Sequence, residues 1–195
     1  MLDDRQPELS ELLTPRVLTL GNSARKWFGL DRQWLDPLHP VHVKGMAIAQ
    51  EEADKAAAKG DVPVGAAILD AQGHPIGRGH NQKHALGDPT AHAEILAMRE
   101  AGRSRQNWHL NDCALYVTLE PCPMCAGALV QGRIGLLVFG VPEPKSGAIA
   151  SMMNLAKQPW SNHYFPVIAG VNAQQCRQQL TDWFAAKRGT SKQND

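Results

Sequence analysis

The 195-residue chain has no run of apolar residues long enough to span a bilayer, which excludes an ordinary transmembrane helix. Its first residues, Met1-Leu2-Asp3-Asp4, are acidic and so unlike the basic start of a secretory signal. An excess of one charge is also missing. The 20 Lys and Arg stand against 19 Asp and Glu, a net +1, so the chain as a whole does not advertise a polyanionic partner. Cysteine is sparse. Of the four, Cys113 and Cys176 stand far apart and form no disulfide-framework pattern, which favours a reducing, cytoplasmic compartment. No second Cys-x-x-Cys accompanies Cys122 and Cys125, so the chain does not spell a zinc knuckle built from two such pairs.

What is present fits one globular domain: 43% hydrophobic and 20% charged residues can bury a sizeable core. Residues 1–40 differ in character, because Pro7, Pro15, Pro37 and Pro40 interrupt short apolar runs such as Val17-Leu18-Thr19-Leu20. Trp27, Phe28 and Trp34 make this N-terminal extension too apolar for a solvated tail, and its role is open between packing on the domain and packing on a partner. From Val41 to Lys59, apolar residues recur at three- and four-residue spacing and predict a helix. Residues 64–69 and 75–79 predict a hairpin, and residues 115–119 and 135–140 two further strands. Thr90 is expected to cap a helix running through Ala101; another helix starts at Pro123, and residues 172–186 form a last amphipathic one. Strands alternating with helices imply an α/β fold, a three-layer α/β/α sandwich with a mixed central sheet. The domain is expected to span 41–188, followed by a polar tail at 189–195.

The chemistry concentrates in His92-Ala93-Glu94 and, downstream, Pro121-Cys122-Pro123-Met124-Cys125. His92, Cys122 and Cys125 supply one imidazole and two thiolates, a set that suits zinc and leaves its fourth tetrahedral position for water. An open position implies catalysis. Glu94, two residues past the histidine, can reach that water as general acid and base without being a ligand. A redox reading of Cys-x-x-Cys would leave His92 and Glu94 unexplained. Both halves fall at predicted helix starts, whose partial positive charge favours thiolates.

These residues resemble the cytidine deaminase superfamily and, within it, the bacterial tRNA-specific adenosine deaminases. The likeness runs from Val41 to Arg188 through Asp61-Val62-Pro63-Val64-Gly65, Gly79-His80-Asn81, Asp88 to Glu94 and Leu115 to Ala128. It implies the cytidine deaminase-like fold, one zinc per subunit on His92, Cys122 and Cys125, a homodimer, and proton transfer by Glu94. It further implies that Asn81 hydrogen-bonds a flipped nucleotide while the amide of Ala93 orients its base, although an Asx turn would also account for Asn81. The implied reaction converts adenosine to inosine at the wobble position of a tRNA anticodon loop. Where family members carry Asp-x-Lys-Ser/Thr-Gly near the anticodon loop, this chain reads Glu143-Pro144-Lys145-Ser146-Gly147, which makes Lys145 a candidate RNA contact. Lys187 and Arg188, in the basic stretch near the C-terminus, are two more; the competing reading is a solvated tail. Two rival functions remain: a deaminase of a free base or nucleoside of the guanine or cytosine type, and a noncatalytic zinc-stabilised RNA-binding module.

Overall fold

The computed structural model describes residues 11–19 and 30–191. Among them, strands β1 (Arg16–Thr19), β2 (Gly65–Leu69), β3 (Pro75–His80), β4 (Ala114–Leu119), β5 (Leu136–Val141) and β6 (Val167–Ala169) form one sheet in the order β1-β6-β5-β4-β2-β3. β4, β5 and β6 run parallel, β2 is antiparallel to both β3 and β4, and β1 is antiparallel to β6. The helices are α1 (Pro40–Ala58), α2 (Lys83–Leu86), α3 (Ala93–Arg105), α4 (Pro123–Gln131) and α5 (Ala173–Ser191). The expected three layers and mixed sheet are present.

Period-two alternation divides the core. On β4, Leu115 and Val117 join the apolar cluster that holds Ala93 and Ala97 of α3 and Ala126 and Leu129 of α4. Ala114 and Tyr116 point the other way, into a cluster with Met46 and Ala49 of α1 and Cys176 of α5. A strand covered on both faces has no solvated side, so its sequence reads as continuous apolar residues. α1 begins one residue before the expected Val41, because Pro40 supplies a ready-made first-turn φ and His39 Nδ1 accepts the Val41 N–H at 3.2 Å.

Three details differ from expectation. Thr90 does not cap α3, because its N–H and hydroxyl are both given to Asp88 Oδ1, each at 2.7 Å. The cap position falls to His92, which sits in extended backbone with its side chain making no cap bond. α3 also runs past Ala101 through Gly102 to Arg105, whose guanidinium pairs bidentately with Asp112 at 2.7 and 3.0 Å. One helical glycine weakens a helix by only about 1 kcal/mol, less than such a fixed end can offset. Finally, α5 continues to Ser191, three residues into the segment expected to be tail.

Strands β1 and β6 have no counterpart in the sequence reading, and β1 comes from the N-terminal extension. That extension packs on the domain: Leu12 and Trp34 are buried in the two apolar clusters. Trp34 O bonds His42 Nε2 at 3.0 Å, and His42 Nδ1 bonds the Tyr116 hydroxyl at 3.1 Å, which ties the extension to the middle of β4. Burial lowers the pKa of His42 to about 4, so it is neutral here. Trp27, Phe28 and Leu20 lie outside the described residues.

Candidate metal centre and active site

His92 and Cys122 occupy equivalent places, each the cap residue of a helix in extended backbone (φ −80, ψ 152 and φ −73, ψ 172). Pro123 follows Cys122 at the first helical position, and one turn later Cys125 faces the same way. Two helix N-termini therefore converge, with the extended cap residues aiming their side chains ahead of the helices. The close seat of α3 fixes half of this arrangement, since a Cβ on Gly79 of β3 would lie 2.2 Å from Ala93 O. The start of α3 is thus held at backbone contact with the hairpin that carries Asn81.

His92 Nδ1 lies 3.7 Å from Cys122 Sγ and 3.6 Å from Cys125 Sγ, and all three donor atoms fall within 4.8 Å of one another. With zinc bonds of about 2.3 Å to sulfur and about 2.0–2.1 Å to nitrogen, a tetrahedral S···N edge is about 3.6 Å. The donor set fits zinc. Cys125 is buried, and Cys122 and His92 are half-buried. A hydrogen bond from Cys125 holds the Cys122 thiol down at a pKa of about 4, and the same bond, with burial, pushes Cys125 up. His92 is raised chiefly by its contact with Cys122.

Glu94, in the first turn of α3, is only 4% exposed. Burial raises its carboxyl pKa above the ordinary range and the nearby Cys122 charge adds to the effect, moving it toward the range of a group that both takes and returns protons. A cavity of ≈ 160 Å³ opens on it, with Val62, Val64 and Leu119 as apolar walls and Asn81 at one side. Asn81 is buried. Its Nδ2 reaches across to Val62 O at 3.4 Å, a bond outside any Asx turn, and its Oδ1 has no partner among the described residues. Ala93 contributes the first amide of α3, an N–H with no acceptor inside the helix.

None of the candidate RNA contacts lines the cavity itself. Lys145 is exposed on the loop after β5, where its N–H bonds Glu143 Oε1 at 2.9 Å, and the side chains of Glu143 and Ser146 line the cavity rim. Lys187 places Nζ 5.3 Å from the centre of the Trp183 ring, and Arg188 is exposed.

Two buried carboxylates assigned no role in the sequence reading also shape the site. Asp61 accepts the N–H groups of His84 and Ala85 at 3.0 and 3.1 Å, fixing the start of α2 beside the cavity. Glu120 accepts hydrogen bonds from the loop after β5. Their place within matching motifs is the only sign of them in sequence, since a buried carboxylate is recognisable only by donors distant along the chain. His80 and His84, four apart as ligands can be, form no site: His80 is held by Glu52 at 3.0 Å.

The sandwich and its His-Cys-Cys donor set define a zinc-binding deaminase domain, and residues 40–141 match the family model described as the cytidine and deoxycytidylate deaminase zinc-binding region. The chain belongs to that family, on the branch of the tRNA-specific adenosine deaminases. The relative of that name from Haemophilus influenzae is 46% identical over 149 residues, 76% of this chain and 86% of the relative. Its Bacillus subtilis counterpart is 42% identical over 147 residues, 75% and 91% respectively. A solved structure from studies of A-to-I editing by tRNA:A34 deaminases at the wobble position superposes with a TM-score of 0.68 at 37% identity, covering 70% of this chain and 99% of that one.

Proposed function

We propose that the protein hydrolyses adenosine to inosine at the wobble position of a tRNA anticodon, with His92, Cys122 and Cys125 holding zinc and Glu94 moving the protons. The observation that carries this reading is the buried Glu94 beside the three-donor cluster, at a cavity that Asn81 also lines. Zinc, when bound, supplies a Lewis acid that brings the pKa of water toward neutrality. The Glu94 carboxylate takes a proton from the attacking water and delivers it to N1 of the base as oxygen bonds to C6. Glu94 then takes the remaining proton from the C6 hydroxyl and hands it to the amine; the C6–N bond breaks as the C6 carbonyl forms, and ammonia leaves. Asn81 holds the nucleotide through its amide, and the Ala93 N–H orients the base. The apolar walls exclude bulk water.

A tRNA substrate is compatible with a cytoplasmic role, and no helix among the described residues is long and apolar enough to cross a membrane. The homodimer is implied by the family resemblance, and the groove between α3 and α4, which includes Met98 and Leu110 and where Trp108 is 59% exposed, is a surface that supports it.

The test is inosine formation by the zinc-loaded protein on an anticodon stem-loop with adenosine at the wobble position, beside free adenosine, guanine and cytidine. Conversion of the stem-loop alone is expected; turnover of a free base or nucleoside alone would move the protein to nucleotide salvage. Replacing Lys187 and Arg188 together by Ala is expected to weaken stem-loop binding and to reduce the slope of log K against log salt by about one to two, as two lost phosphate contacts require. An unchanged slope in a binding titration would return both residues to the role of solvated surface.

A further inference from the structure

Resting on that reading, we propose that Glu120 is a positioning residue whose buried carboxylate holds the 143–151 loop at the cavity rim and thereby sets how tightly the nucleotide is bound. Glu120 is 3% exposed and follows directly on β4, two residues before Cys122. Its Oε1 accepts the N–H groups of Ile149, Ala150 and Ser151 at 3.1, 2.7 and 3.0 Å. Its Oε2 accepts the Glu143 N–H at 3.0 Å and the Ser151 hydroxyl. Four backbone amides and a hydroxyl from both ends of one loop thus close on a single side chain. Such donors satisfy a buried carboxylate as an anion site does, and each charge-assisted bond is about twice as strong as a neutral one.

The loop gathered in this way is part of the cavity: Glu143 and Ser146 line it together with Glu120. The loop is also drawn against the ligand-bearing segment, where Ala148 N–H bonds Pro121 O at 2.9 Å. The contact leaves no room for a larger residue. A Cβ on Gly147 would lie 2.4 Å from the Glu120 carboxyl carbon. One carboxylate therefore couples the rim to the segment that carries Cys122, and its removal should free the rim without removing a metal donor.

Two variants test this from opposite sides. Glu120→Gln keeps the size but turns one acceptor oxygen into an NH2 group facing N–H and O–H donors. Gly147→Ala leaves Glu120 in place and wedges the loop away from it. For both zinc-loaded variants, stem-loop KM is expected to rise at least about tenfold against a kcat change within about threefold, the pattern of lost uniform binding. Zinc should remain at one per chain, and the amides of Glu143, Ile149, Ala150 and Ser151 should exchange hydrogen faster than in the parent. Glu120→Asp, one methylene shorter, should fall between. An unchanged KM in both variants would overturn the proposal while leaving the parent's editing intact. So would loss of zinc with a fall in kcat, which would make Glu120 a support of Cys122 instead. If the parent converts no stem-loop, the functional reading fails, and the positioning role falls with it.

Discussion

Glu94→Gln is expected to lower inosine formation by about 10³- to 10⁴-fold, the upper part of the range for a positioned acid and base, because one carboxylate serves both proton transfers. Glutamine preserves the shape of a side chain that is only 4% exposed, so the result reports the lost proton carrier and not a collapsed wall. Glu94 lies outside the three-donor group, so metal content should stay at one zinc per chain. Three measurements on the same preparation check this: single-turnover inosine formation, zinc by elemental analysis, and a thermal melt. Full activity in Glu94→Gln or Glu94→Ala would refute the proton-shuttle role, whereas a zinc-loaded parent that binds the stem-loop but forms no inosine would favour the RNA-binding module without catalysis. Loss of turnover together with loss of zinc would instead place Glu94 in the metal's support.

Removing the metal should be as severe and should differ in kind. Chelation, or Cys125→Ser, is expected to take deamination to background and also to lower the melting temperature. With free zinc at about a thousandfold over its dissociation constant, mass action stabilises the folded state by about 4 kcal/mol. In a domain of this size 1 kcal/mol corresponds to about 2–4 °C, so a fall of about 10 °C follows. Readdition of zinc should restore both properties in the chelated parent, whereas Cys125→Ser should recover neither fully. The buried position of Cys125 makes it the more informative of the two cysteines, since water cannot easily take its place. A chelated protein that keeps its turnover would sink the assignment of His92, Cys122 and Cys125.

The parts of the fold and site that were legible in sequence are those governed by local rules. His92 and Glu94 share one helix start, and Cys122 and Cys125 another, so their spacing already places each pair; their convergence at 3.6–3.7 Å needs the whole sheet. β2, β4 and β5 carry enough apolar residues to announce themselves, and the turn at 70–73 announces β3 as the returning strand of a hairpin. β1 and β6 are four and three residues long and pair across most of the chain, and no local pattern marks such strands. Thr90 looked like a cap because residue type alone cannot show that Asp88 claims its hydroxyl first. The orphan oxygen of Asn81 and the five donors on Glu120 were invisible for the same reason: each depends on partners brought near only by folding.

The edge strand β1 has a consequence outside catalysis. The family match begins at residue 40, but β1 lies before it and covers the open side of β6. A chain cut at that boundary would keep every residue of the metal centre yet lose Leu12 from the core and leave a bare strand edge beside it. Such an edge recruits other strands. β1 ends the sheet with an edge of its own, but one that is four residues long and irregular between Val17 and Thr19, features that blunt strand pairing, so a truncated enzyme should aggregate more readily than the whole chain.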